Sequence, residues 1–424
     1  MNNDREKDYQ ESNKNKQKII IISLIAVLTV LLITVVVIAV LFIKKQNRQG
    51  SDPLQTETTK NFETTKNNGN QSASDTESVY STINTTVTTI ITEKSTTETE
   101  VQEPEKEHGF VINSMGYTYL YYGQGFEQFN GTSATAKRYA SALNTIKENL
   151  PENLKLYSIV APTSVAFSNI PREIRVEDDF SNSDQKNNID TINSNLENII
   201  GLNVFSALKE HENEKLYFNT DRNWTALASY YAYAEFCKEA GIEPVLLESL
   251  EKTQIEGYLG SFYNATKSSL LLENADLIEC WLIDRKFPVN MTMYSNGLSY
   301  SNRQLVTTQI SSTVSYGFYA FLGGPGERFE IKTDNNDAKK ILVIGDSSAF
   351  PFVPFLAANY SEIFFINAES YSVNENNVNL QTYIENKNID EALFISYATN
   401  TQRSSYCTKM VNLCYNTEMV NLCS

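Results

Sequence analysis

Apolar residues along this chain fall into short blocks with two different spacings, and the two alternate. Positions 341–344, 363–366 and 392–396 are almost wholly apolar and too short for helices. Such runs suit strands of a parallel sheet covered on both faces. Positions 154–161 read as a further strand, ending at Pro162-Thr163-Ser164. Between these runs the spacing turns helical. At 135–149 Tyr139, Leu143 and Ile146 form one stripe, with Pro151 just beyond it. Helices are also predicted at 189–200 and 228–236, and 204–209 leads towards another strand. Ahead of them, 109–112 and 117–122 read as two strands around a turn. This alternation predicts an α/β fold with a mostly parallel sheet over 108–403.

The pattern before residue 108 is of another kind. Residues 19–43 hold no charge, between Lys18 and Lys44. At ~1.5 Å per residue a helix there would span about 37 Å, against a bilayer core of roughly 30 Å, which predicts a transmembrane segment. Its exit, Val40-Leu41-Phe42-Ile43, lacks the small-x-small pattern of a cleavable signal, so an uncleaved signal anchor is expected. Lysines flank both sides (Lys14, Lys16 and Lys18; Lys44 and Lys45), so charge alone does not set the orientation. Residues 44–107 are rich in Thr, Ser, Asn and Glu, and Glu57-Thr58-Thr59-Lys60-Asn61 recurs as Glu63-Thr64-Thr65-Lys66-Asn67. Such composition cannot bury enough apolar surface to offset ordering entropy, and a disordered stalk is expected. At the other end, the nonamer 406–414 is repeated almost unchanged as 415–423. Residues 404–424 are therefore read as a duplicated tail outside the core, with a redox or dimerising role for its cysteines as the alternative.

Composition narrows the partners. The net charge is −16, most of it carried after residue 107, and no basic run is visible there. Nucleic-acid binding is excluded on that ground, polyanionic wall polymers are disfavoured, and neutral glycans remain compatible. The five cysteines (Cys237, Cys280, Cys407, Cys414 and Cys423) form no Cys-x-x-Cys pair, so no zinc site is expected, nor any cofactor. Cys237 and Cys280 sit in apolar contexts and read as core residues.

Two motifs carry candidate chemistry. One is Asp221-Arg222-Asn223-Trp224, and the other is the strand-to-turn block Ile344-Gly345-Asp346-Ser347. Ser347 would lie at the carboxyl end of a strand near a helix N-terminus, where open α/β sheets place ligands and where free amides can hold an oxyanion. The bland alternative is an N-cap serine. The first motif resembles that of the DHHW family of bacterial extracytoplasmic proteins, named for an Asp-His-His-Trp motif at this place. The second resembles the Gly-Asp-Ser turn of SGNH-type hydrolases. In related polysaccharide O-acetylation proteins the nucleophilic Ser works with an Asp-x-His pair. The resemblance implies an SGNH-like three-layer α/β/α sandwich, exported, with residues 1–18 as a cytoplasmic tail. It further implies a single-pass cell-membrane protein whose C-terminal domain is extracellular.

The resemblance also implies site residues. Ser347 takes the nucleophile position, Asp221 the orienting carboxylate, and Asn223 the position of the base. An amide has no titratable nitrogen near neutral pH, so Asn223 cannot take the serine proton. Only His108 and His211 could substitute, and His211 sits in a polar turn, Glu210-His211-Glu212-Asn213-Glu214. Arg222 stands at the motif's first His. It either pairs with an acidic neighbour, Asp346 being one candidate, or binds a ligand carboxylate. Trp224 either packs in the core or stacks on a sugar. Phe321-Leu322-Gly323-Gly324 is similar to a family block in which Asn follows the glycines, and here Pro325 follows. The expectation is a catalytically inactive protein that binds an envelope glycan or envelope protein. Two alternatives stand beside it: an active carbohydrate O-acetyl esterase or acetyltransferase using Ser347, and an envelope adhesin or spacer.

Overall fold

The computed structural model describes residues 106–113, 116–310, 317–371 and 379–415. All of these belong to the second of the two parts into which the chain divides, Thr97–Ser424. Strands β1 (His108–Asn113), β2 (Gly116–Tyr121) and β3 (Gln124–Phe126) form a small antiparallel sheet. The main sheet has eight strands: β4 (Lys155–Ala161), β5 (Ile200–Gly201), β8 (Val289–Ser295), β9 (Leu298–Arg303), β10 (Arg328–Thr333), β11 (Lys340–Gly345), β12 (Glu362–Asn367) and β13 (Glu391–Tyr397). Their order is β5-β4-β13-β11-β12-β10-β8-β9. Pairing is parallel from β5 to β12 and antiparallel from β12 to β9, so the sheet is mixed. Strands β6 (Lys252–Tyr258) and β7 (Asp276–Trp281) make a separate antiparallel ribbon.

The apolar runs explain why both faces of this sheet are covered. Side chains alternate between the faces of a strand. On β11, Ile341 and Val343 enter one apolar cluster while Leu342 and Ile344 enter the other; Ile363 and Phe365 of β12 divide in the same way from Phe364 and Ile366. Helix α3 (Ala226–Ala240) and the β6–β7 ribbon cover the first face. Helices α1 (Ser133–Glu148), α2 (Gln185–Ser194), α4 (Leu380–Lys387) and α5 (Ser404–Asn412) cover the second. The result is a mixed α/β fold in three layers.

Four expectations are corrected. The helix predicted at 189–200 spans Gln185–Ser194 instead, because Asp184 caps its start by accepting from the Asn187 amide; the chain then turns, and Ile200–Gly201 becomes an edge strand. Ser347 is followed by a short 3-10 turn, Ser347–Ala349, and by another at Val353–Ala358, not by an α-helix. Pro351 and Pro354 each lack the amide an α-helix would use there. The fold does not close at 403. Tyr406, Cys407, Met410 and Val411 line the inner face of α5 and are buried with Leu413 in the second core cluster.

The fourth correction concerns localisation. The expected single-pass arrangement, with a cytoplasmic N-terminus and an extracellular domain, is overturned: no helix among the described residues is long and apolar enough to cross a membrane. At ~1.5 Å per residue the 16 residues of α1 reach about 24 Å, and its outer face is polar. Segments 1–18 and 19–43, and all but the end of 44–107, lie outside the described residues.

Candidate functional site

Three parallel strands end side by side. Gly345 of β11 pairs with Ile395 of β13, and Tyr397 of β13 pairs with Ala161 of β4. Such carboxyl ends are where open α/β sheets place ligands. Ser347 lies just past β11, half-buried, and its hydroxyl donates to Asn223 Oδ1 at 3.0 Å. Asn223 Nδ2 and the Asn223 backbone amide both donate to Asp221 Oδ1, at 2.8 and 2.7 Å. The carboxylate thus fixes which way the amide faces: its nitrogen towards Asp221 and its oxygen towards Ser347. Asp221 Oδ2 accepts from Tyr258 Oη at 2.9 Å and from the Ser261 amide at 2.7 Å. Serine, amide and carboxylate therefore form a chain of hydrogen bonds in which the group touching the serine is an amide and the carboxylate lies one link further on.

The segment bearing Asp221 and Asn223 is a turn, closed by a bridge between Tyr217 and Trp224, and within it Asp221 bonds Asn223 directly. Asp276 of β7 holds the approach to this turn, accepting from the Asn219 and Thr220 amides at 2.7 Å each. Gly260 lets β6 come close: a Cβ there would lie 2.3 Å from Asp221 Cβ. Burial and the adjoining Asp221 carboxylate push the Tyr258 hydroxyl well above its ordinary pKa, which keeps it a neutral donor.

Arg222 does not pair with Asp346. It pairs with Glu127 at 3.2 Å, donates to Thr399 Oγ1 at 3.1 Å, and lies over the Tyr397 ring at 4.7 Å. Burial acts to lower its pKa, but Glu127 and then Tyr397 outweigh that and raise it. Asp346 turns inward, fully buried, and accepts from the Ser348 amide at 3.0 Å, the Tyr397 amide at 2.7 Å and Asn400 Nδ2 at 2.7 Å. The Ser348 amide is thereby committed to Asp346. Trp224 is 1% exposed and donates from Nε1 to the Ser348 carbonyl at 2.9 Å, which ties the motif to the Ser347 turn and leaves no ring face for a sugar.

The other candidates lie elsewhere. Gly323 and Gly324 have φ of +72° and +113°; their nearest side chains are Arg303 and Tyr319. His211 bonds Glu214 at 2.7 Å and stacks on Tyr231, with ring centroids 3.6 Å apart. His108 bonds Asp178 at 2.7 Å. Among the described residues no group of three or more His, Cys, Asp or Glu could hold a metal ion. Tyr258, Gly260, Ser261, Glu127 and Asp276 lie outside the two motifs that carried the candidate chemistry. The Tyr258-Leu259-Gly260-Ser261 run, a glycine beside two hydroxyl residues, was the one available signal.

No curated protein sequence matches the chain. A DHHW family protein from Eubacterium siraeum superposes with a TM-score of 0.60 at 21% identity, covering 72% of this chain and 98% of that one. PatB1 from Bacillus cereus superposes with a TM-score of 0.56 at 15% identity, covering 70% and 99%. PatB1 carrying a sulfonyl adduct gives 0.55 at 15% identity. At these identities the likeness is one of fold. The model of the DHHW protein family matches residues 60–366, most of the chain, and the chain belongs to that family.

Proposed function

We propose that this chain is an SGNH-like glycan-binding protein of the bacterial envelope, without the acyl-transfer or esterase chemistry of a serine hydrolase. The observation that carries the proposal is the 3.0 Å bond from the Ser347 hydroxyl to Asn223 Oδ1. To attack an ester, the serine must lose its proton to a base in the transition state. The amide oxygen accepts the hydrogen bond but cannot hold the proton near neutral pH, and Asp221 is separated from the serine by that amide. Removal of a triad member ordinarily leaves only the ~10³–10⁴-fold effect of oxyanion hole and binding. Here the Ser348 amide is also engaged by Asp346, which weakens the oxyanion contribution further.

The glycan part rests on the family and on charge. A chain at −16 disfavours polyanionic polymers and leaves neutral glycans as the compatible envelope polymer. The test has two arms. A sulfonyl fluoride of the kind that labels activated serines should leave Ser347 unmodified by mass spectrometry at neutral pH. Neutral oligosaccharides should bind without being altered. Rapid sulfonylation of Ser347, absent from Ser347→Ala, would establish an activated serine and overturn the inactive reading.

A further inference from the structure

Helix α5 is built from the first copy of the nonamer that the sequence repeats. Residues 406–414 and 415–423 are identical at seven of nine positions; Asn416 stands for Cys407 and Glu418 for Lys409. What the first copy does is plain from its burial. Tyr406, Cys407, Met410, Val411, Leu413 and Cys414 all enter the second apolar cluster, against α1 and beside the start of α4. Three polar ties fix this seat. The hydroxyls of Tyr406 and Ser396 lie 2.9 Å apart, the Leu380 amide donates to the Leu413 carbonyl at 2.8 Å, and Lys409 Nζ donates to the Glu369 carbonyl.

The second copy carries nearly everything this seat requires. Five of the six buried side chains recur unchanged, as Tyr415, Met419, Val420, Leu422 and Cys423. Tyr415 would bring the hydroxyl that Ser396 meets, and the tie from Leu380 reaches a backbone carbonyl, which any residue supplies. The helical spacing of the apolar positions is the same in both copies.

The two differences decide which copy is preferred, and both favour the first. Cys407 is fully buried. An asparagine there would place an amide in an apolar cluster, at a cost unless each of its donors and acceptors finds a partner. One such group left unpaired shifts the docking equilibrium by roughly tenfold or more. Lys409 lies in the last turn of α5, where exposed carbonyls favour a cation, and Glu418 would put an anion there.

We propose that 415–423 is an alternative occupant of the α5 seat, so that the tail has two registers nine residues apart and the first is preferred. The exchange needs nine residues of slack, and the cost of closing a loop rises only slowly with its length. The slack would enter after Ser405, two positions past Arg403, whose guanidinium lies 3.7 Å from the Glu127 that holds Arg222. Exchange would therefore release 406–414 near the Ser347 centre while the core stays filled.

The test damages one copy at a time in the full chain. Met410→Asp puts a charge into the core and should empty the seat of the first nonamer; the chain should still fold, melting several degrees below the unaltered protein. Met419→Asp alone should leave the melting temperature unchanged, and the two substitutions together should abolish cooperative melting. Iodoacetamide labelling read by mass spectrometry tells the registers apart. Cys407 and Cys414 should be protected in the unaltered chain and reactive in Met410→Asp, with Cys423 protected in their place. If Met410→Asp alone is as unfolded as the double variant, the second copy does not fill the seat and the proposal is overturned. Folding of Met410→Asp with Cys407 and Cys414 still protected would overturn it too, since the second copy would then fail to displace even a damaged first. A deletion of 406–414 that joins Ser405 to Tyr415 serves as the second variant. It should fold, and Asn416→Cys should raise its melting temperature. A deletion variant as unfolded as one lacking 406–424 would contradict the proposal.

Discussion

Two regions share the carboxyl edge of the parallel strands, and they treat their polar groups in opposite ways. At the Ser347 centre the two buried aspartates are saturated, while Arg222 Nε is left without a hydrogen bond. Asp221 accepts four hydrogen bonds, Asp346 accepts from two backbone amides and from Ser348 and Asn400, and Arg222 is held by Glu127, Thr399 and Tyr397. Past the end of β4 the buried Ser164 hydroxyl is left unpaired. A carboxylate whose acceptor positions are filled by the protein is one that the fold leans on, whereas a hydroxyl with no partner contributes nothing by hydrogen bonding. The difference shows which polar groups near this edge hold the structure together.

The largest expected effect comes from the support that both regions stand on. Strand β13 runs between them, and its Ser396 is bonded by Tyr139 at 2.7 Å and by Tyr406 at 2.9 Å. Truncation at residue 403 removes Tyr406 and the buried face of α5. Losing even one large buried side chain there costs ~2–5 kcal/mol, so the truncated chain should be insoluble or unfolded by circular dichroism. A truncated chain that melts where the full chain does would show that α5 is not part of the core.

Next in size is Asp221→Ala. It strands four donors, two of them backbone amides, and charged hydrogen bonds are worth ~1.5–3 kcal/mol each where buried. A loss of about 3 kcal/mol in chemical denaturation is expected, with Ser164→Ala near zero under the same conditions. Equal effects at the two positions would erase the contrast drawn here between a saturated centre and an unused hydroxyl.

A smaller effect should appear in alkali. Burial, followed by the charge of Asp221, raises the Tyr258 hydroxyl well above its ordinary value, and burial, followed by Glu127, does the same for Tyr397. A group whose folded pKa is raised contributes stability that is full below the unfolded value and is lost as pH climbs towards the folded one. For tyrosine that window opens at about pH 10. Melting temperature should be flat from neutral pH to about 10 and fall beyond it, and Tyr258→Phe should flatten part of the fall. A fall of the same size in Tyr258→Phe would remove this tyrosine from the account.

Much of the fold was legible because β-strands covered on both faces leave an unmistakable record: 341–344, 363–366 and 392–396 could hardly be anything else, and each is a strand. What escaped was decided by partners distant in the chain. The nonamer 406–414 looked like the first copy of a spare repeat, yet Tyr406, Cys407, Met410 and Val411 recur at helical spacing and find α1 to pack against. The antiparallel half of the sheet was missed because its strands, such as exposed β9, carry few apolar residues. At the site, Ser347, Asp221 and Asn223 were readable from two motifs and do meet. Arg222 pairs with Glu127 and not with Asp346, the one candidate named, since nothing local points to Glu127, 95 positions before it in sequence and brought near only by β3.

The central claim is that Ser347 has no base, and ester turnover tests it most directly. Release of p-nitrophenol from p-nitrophenyl acetate should be the same for the unaltered chain and for Ser347→Ala, at every pH between about 6 and 9. A rate for the unaltered chain well above that of Ser347→Ala, rising with a single titration, would show that a base not identified among Asp221, Asn223 and the two histidines activates the serine, and would contradict the account.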